Sequence, residues 1–287
     1  MHMNCYLFVA LALGLASQAS ASIIDFTIYC NSGLYTAVDS SIFPAAAFNP
    51  TPNFTLENAR LVGTSGDTFR VKIVNTDTVD HGFKVTNKTG GVTVAPGDSQ
   101  VVEFSFMEDQ ITTTYFDHLN SNANRALGLG GIVHVKLNNT PTFYWNLKEF
   151  QKEWAIKHAN NEPVNWTEYY PDYFTVNGRS NPHINSDPVA RVTGSVDEAL
   201  HIVMANTGQS IHSIHFHGYH AKILYSSESA KHSGRSKDTF PIKSMQALLL
   251  EIVPDKVGEY PVHDHNLVAV SAGGVYPNGM FLTILIE

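Results

Sequence analysis

Ten residues, Ile211 to His220 (IHSIHFHGYH), carry four histidines, His212, His215, His217 and His220. A second run near the C-terminus, VHDHN, adds His263 and His265. Imidazole is the usual nitrogen ligand for copper and zinc. On a strand, residues two apart share a face, so His215 and His217 point one way, and so do His263 and His265. Two such strands side by side line a small volume with four imidazoles, an arrangement suited to a metal ion. Half-buried histidines also serve as plain hydrogen-bond donors. Even among 14 histidines, however, a Gly after His217 and a second pair at the far end are more than scatter supplies.

These residues need strands to position them, and the sequence supplies two blocks of them. Between residues 55 and 135, RVKIVNT alternates, VTVAPGDSQVVEFSF reads as strand, Pro-Gly turn and strand, and LGLGGIVHVKL ends the block. A second block, residues 191–287, runs through VDEALHIVMAN, IHSIHFHGYHAKILY, MQALLLEIVPDKVGEYPV and GMFLTILI. Many short strands with Gly and Pro turns argue for β-sandwiches. The blocks also resemble each other: IVNTDTVDHGF matches IVMANTGQSIHSIHFHGY, and TTTYFDH matches GEYPVHDH, which indicates two similar domains. Between them, residues 141–187 read as a connector in which LKEFQKEWAIKH suits a helix and FYWNLKEF suits a strand equally well.

The chain opens with CYLFVALALGLA and small residues ending at Ala21, the form of a secretory signal peptide cleaved before Ser22. The expected organisation is therefore signal peptide 1–21, first domain 22–140, connector 141–187 and second domain 188–287. The mature protein is expected outside the cytoplasm, or in the periplasm of a bacterium. Cleavage leaves Cys30 alone, so no internal disulfide holds the fold. Asn53, Asn87, Asn138 and Asn165 begin N-glycosylation sequons. The net charge of -8 with scattered Lys and Arg leaves no basic patch for nucleic acid. No segment after the leader approaches a membrane span.

The motifs resemble those of the cupredoxin superfamily, specifically two-domain relatives of multicopper oxidases and copper nitrite reductases. HSIHFHG is similar to HPxHxHG; YPVHDHNLVAV with a later GM is similar to HCHxxxHxxxGM; DHGF resembles the end of HxHG, and YFDHLN with GLGG resembles YxHSHxxxxxxGLxG. The resemblance implies an all-β fold of two tandem cupredoxin-like Greek-key sandwiches. It also implies the loss of the type 1 copper, because Asp264 stands where the family has its thiolate and Ala269 where it has a histidine. His212 and Met280 fall near the other ligand positions.

The same resemblance implies a reduced, type 2-like copper site of His81, His118 and His265, with zinc as the alternative metal. His215, His217 and His263 are further metal candidates, Asn120 is a neighbour, and His217 and His263 are alternatively proton carriers. Asp80 and Asp264, beside ligand candidates, are placed to orient an imidazole or relay a proton. In two-domain relatives one subunit's first domain faces its neighbour's second, so a homotrimer is implied. The expected function is a secreted copper oxidoreductase acting on a small oxygen or nitrogen species. The alternatives are copper storage or delivery, and a structural scaffold with vestigial histidines.

Overall fold

The computed structural model describes residues 21–287; of the leader read as a signal peptide, residues 1–21, all but Ala21 lies outside the described residues. The first sandwich comprises β1 (Ile23–Thr36), β2 (Ile42–Asn49), β3 (Leu61–Thr64), β4 (Thr68–Asn75), β5 (His81–Val85), β6 (Val92–Val94), β7 (Ser99–Ser105), β8 (Thr112–Phe116), the short helix α1 (Ser121–Ala126) and β9 (Gly130–Lys136). Its sheets run β2-β1-β4-β7 and β3-β9-β8-β5-β6. Alternation along β4 sends Phe69, Val71 and Ile73 inward. There they meet Phe83, Tyr115 and Val133 of the other sheet in one core, which also takes in Cys30, fully buried and unpaired.

The second sandwich comprises β10 (Thr142–Phe150), α2 (Lys152–Ala159), β11 (Tyr173–Val176), β12 (Thr193–Gly194), β13 (Leu200–Asn206), β14 (His212–Phe216), β15 (Ala221–Ser226), β16 (Ser236–Lys237), β17 (Thr239–Ile242), β18 (Ala247–Ile252), β19 (Gly258–Asp264) and β20 (Phe281–Ile286). Its sheets run β11-β10-β13-β18-β15-β16 and β12-β20-β19-β14-β17. The molecule is thus a mostly β fold of two tandem Greek-key sandwiches. β10 pairs in parallel with β13 just as β1 pairs in parallel with β4. The stretch read as a connector therefore supplies the first strand of the second sandwich, and its helix begins only at Lys152.

The two units share a hydrophobic seam of Ile132, Tyr144, Val203, Ala205, Ala247 and Leu249. Polar contacts reinforce it. Arg125 of α1 donates to the Gly208 carbonyl at 3.0 Å and to Ser244 Oγ at 2.7 Å. Gln209 donates its side-chain amide to the Asn122 carbonyl, 2.5 Å away. First-domain residues thus hold the loop that leads into β14, the histidine strand. All four sequon asparagines are exposed, and among the described residues no helix is long and apolar enough to cross a membrane.

Candidate metal centre

β14 lies between β17 and β19, with His215 directly opposite His263. Its burial alternates, so His212, Ile214 and Phe216 face the core while His215 and His217 face out. His263 shares that outer side and His265 follows one residue beyond β19. The four imidazoles form one patch: His215 lies 4.7 Å, 5.7 Å and 5.5 Å, ring centre to ring centre, from His217, His263 and His265. Closest of all are His217 Nε2 and His263 Nε2, 3.0 Å apart. His263 Nδ1 donates to the Asp264 carbonyl at 2.9 Å, which in the neutral ring leaves Nε2 as a lone pair turned toward His217. His215 Nδ1 is held by Thr239 Oγ1 at 2.9 Å. Burial, with the neighbouring imidazoles His215, His263 and His265 adding to it, pushes the His217 pKa down, favouring the neutral, ligating form.

Beneath the patch lies a second arrangement. His212 is 1% exposed and clamped between two carboxylates, donating from Nδ1 to Asp264 Oδ2 at 2.6 Å and from Nε2 to Glu149 Oε2 at 3.1 Å. Burial alone would lower its pKa, but the two carboxylates more than offset that and bring it up to about 9. The remaining oxygens are also satisfied. Asp264 Oδ1 accepts from Ser213 N and Asn266 N, and Glu149 Oε1 from Gln209 N and Ser210 N. Burial raises the Glu149 pKa, and the His212 contact and these backbone donors outweigh it, for a net depression.

The first domain repeats this arrangement almost atom for atom. His81, 3% exposed, donates from Nδ1 to Asp117 at 2.8 Å and from Nε2 to Asp77 at 3.1 Å. Its pKa, lowered by burial, is likewise carried up to about 9 by the carboxylates. Asp117 Oδ1 accepts from Gly82 N and Leu119 N, as Asp264 Oδ1 does from Ser213 N and Asn266 N. The preceding turns match too: Asn75 donates to the Val79 carbonyl and Asn206 to the Ser210 carbonyl, each four residues on. His81 therefore corresponds to His212, and His118 to His265. Asp77 corresponds to Gly208, where a Cβ would stand 1.9 Å from Glu149 Oε2. The absent side chain leaves room for a carboxylate from β10, so the two domains build the same clamp from different residues.

Residues 152–277 match the multicopper oxidase family. A search of the curated proteins finds no match. Among solved structures, the blue copper oxidase from Nitrosomonas europaea is 20% identical with a TM-score of 0.77, over 93% of this chain and 86% of that one. The copper nitrite reductase from the same organism is 15% identical, with a TM-score of 0.73 over 92% and 94%. The laccase from Botrytis aclada is 12% identical, with a TM-score of 0.68 over 93% and 53%. This chain has the cupredoxin and multicopper-oxidase fold.

Within that cupredoxin frame the expected site residues do not all come together. His215, His217, His263 and His265 come together on one sheet face. His81 does not join them, since both its ring nitrogens are taken by carboxylates. His118 is half-buried in the first sandwich, its Nδ1 buried and without a hydrogen-bond partner among the described residues; a Cβ on Gly82 would stand 2.5 Å from that atom, and one on Gly91 2.4 Å from its Nε2. Asp264 orients an imidazole, that of His212. Asp80 is exposed, and the carboxylates that reach His81 are Asp77 and Asp117. Asn120 caps α1 with φ 43°. Asp77, Asp117 and Glu149 were not anticipated. Their signal was the equal spacing of Asn75 to His81 and of Asn206 to His212, with an Asp before His118 as before His265.

The donor set fits copper in part. Two nitrogens on one ion at bond lengths of about 2.0–2.1 Å stand roughly 3 Å apart, and the His217/His263 pair has that separation. Among the described residues no three His, Cys, Asp or Glu side chains already converge on one point. A third donor therefore requires a side-chain rotation or a second chain.

Proposed function

We propose that this is a secreted or periplasmic copper protein of the oxidoreductase type, with a mononuclear histidine site on the β14/β19 face of its second domain and no type 1 copper. The observation that carries this reading is the 3.0 Å approach of two imidazole nitrogens, one of them held by a backbone carbonyl behind it. His217 and His263 would hold the ion, and His265, exposed in the same patch, would supply the third nitrogen by rotating. A site of His81, His118 and His265 would instead strip His81 of two carboxylate bonds in a buried setting, a loss of several kcal/mol by the cost of breaking buried ion pairs (about 3–5 kcal/mol). His118 of a neighbouring copy in a homotrimer is the second route to a third donor.

Copper bound there supplies a Lewis acid and a one-electron couple. The chain's own part is to orient and to leave access. Thr239 and the Asp264 carbonyl fix two rings, while exposed His217 and His265 leave the outer side open to a small oxygen or nitrogen species. Of the two cysteines, Cys30 is sealed in the first core and Cys5 precedes the expected cleavage site, so no thiolate stands ready to relay electrons. Electrons would then come from the substrate itself, or turnover would be a dismutation.

Metal analysis and electron paramagnetic resonance on the mature protein test the site. About one copper per chain with a type 2 signal and no intense blue absorption is expected. A His217→Ala, His263→Ala double variant should lose it and His81→Gln should keep it. Copper retained by the double variant and lost by His81→Gln would overturn the assignment.

A further inference from the structure

The second sandwich opens between its two edge strands. β16 ends one sheet and β17 the other, and residues of both line a cleft of about 440 Å³. Exposed Pro241 gives the cleft floor its open apolar surface, and core residues Phe240 and Leu248, 1% and 2% exposed, lie behind it. Its rim is cationic, with Arg235, Lys237, Lys243 and His232 facing a single carboxylate, Glu228. In a chain of net charge -8 this is a local reversal of sign. Lys243 and His232 share Glu228. The Arg235 and Lys237 side chains, in contrast, have no hydrogen-bond or ion-pair partner among the described residues. None of the four patch histidines lines the cleft.

A concavity of this volume, apolar below and with a few convergent charges above, is the usual form of a small-molecule site. Two uncommitted cations select an anion, and a guanidinium matches the two oxygens of a carboxylate in a planar fork. The apolar floor asks for a hydrocarbon body on that anion. We propose that the cleft binds a small organic acid, its ring or branched body against Pro241 and its carboxylate on Arg235 and Lys237. Inorganic phosphate satisfies the rim and not the floor; a neutral amide of the same shape satisfies the floor and not the rim.

Isothermal titration of the metal-free mature protein with phenylacetate, phenylacetamide and inorganic phosphate tests this. Saturable binding of one phenylacetate per chain is expected. A loss of at least about tenfold is expected for phenylacetamide and for an Arg235→Gln, Lys237→Gln double variant, since charge-assisted hydrogen bonds are at stake. Phosphate should bind more weakly than phenylacetate, and Lys72→Gln, an exposed charge removed from the first domain, should change nothing. Both altered rim residues are exposed, so thermal unfolding of the double variant should match the wild type and exclude misfolding. Absence of saturable phenylacetate binding, equal affinity for acid and amide, tighter binding of phosphate, or unchanged binding by the double variant would each overturn the proposal.

Discussion

At the scale of single residues the molecule is governed by two buried imidazolium clamps, and their consequences are measurable. His212 has a folded pKa raised from 6.5 to about 9. Its stabilising contribution is therefore fully present below about pH 6.5 and is lost as the pH rises through about 9. The shift corresponds to at most about 3 kcal/mol. The stability gap between wild type and His212→Gln, measured by urea unfolding, should narrow by about that amount from about pH 6 to about pH 10. A gap independent of pH would mean that His212 is neutral in its clamp. The exchange of carboxylates between domains makes a second test. Gly208→Asp alone collides with Glu149, whose backbone donors hold it in place, and Glu149→Ala alone strands His212 and two N–H groups. Combined, they transplant the first-domain clamp into the second. The double variant should then be more stable than the single effects sum to, by at least about 1 kcal/mol of coupling; strict additivity would mean that Gly208 and Asp77 are not equivalent. These clamps were half legible. The sequence places Asp264 beside ligand candidates, and in the fold its carboxylate accepts from His212 Nδ1. The ring it orients was hidden, because DHGF reads by eye as the end of HxHG, whereas the turn hydrogen bonds of Asn75 and Asn206 set His81 against His212.

At the scale of elements, β10 decides what the sequence left open. FYWNLKEFQKEWAIKH carries aromatic residues suited to a strand and Lys and Glu at helical spacing, and both readings hold in succession, strand to Phe150 and helix from Lys152. Pairing settles the boundary: β10 sits between β11 and β13 and buries both faces, a tertiary demand that a local pattern does not express. The pattern also misleads because two of its charges are interior. Glu149 serves the clamp. Lys148, 1% exposed, has an ammonium with no hydrogen-bond partner among the described residues, and burial pushes its pKa down to about 7. A lysine depressed from 10.5 destabilises the fold increasingly as pH falls from about 10.5 to about 7, the reverse of the His212 effect, so the wild-type curve alone is flattened. Lys148→Met, which keeps the length and removes the charge, should raise stability by about 1–4 kcal/mol, more at about pH 6 than at about pH 10. A loss of stability at both would mean that the ammonium has a partner such as buried water.

At the scale of the whole molecule, the question is whether two similar sandwiches behave as two bodies or one. The internal repeat made two domains legible, but the seam between them was not, since Ile132, Tyr144, Val203, Ala205, Ala247 and Leu249 are ordinary strand residues that meet only after both sheets form. The seam is apolar and is backed by Arg125 and Gln209, which tie first-domain α1 to the loop entering the histidine strand. Interfaces that resemble a core keep domains from unfolding independently. Copper at the β14/β19 patch would then stabilise both sandwiches at once, although its ligands lie in one. An ion present at about a hundred times its dissociation constant adds roughly 2.7 kcal/mol to whatever unit unfolds cooperatively. Calorimetry of the mature protein should give a single endotherm that moves upward as a whole with copper. Leu249→Ala, which opens the seam at a cost of about 2–5 kcal/mol, should lower that transition in both states. It should also separate a copper-insensitive shoulder belonging to the first sandwich. Two wild-type endotherms, only one of them shifted by copper, would mean that the seam holds the domains in place without making them one cooperative unit.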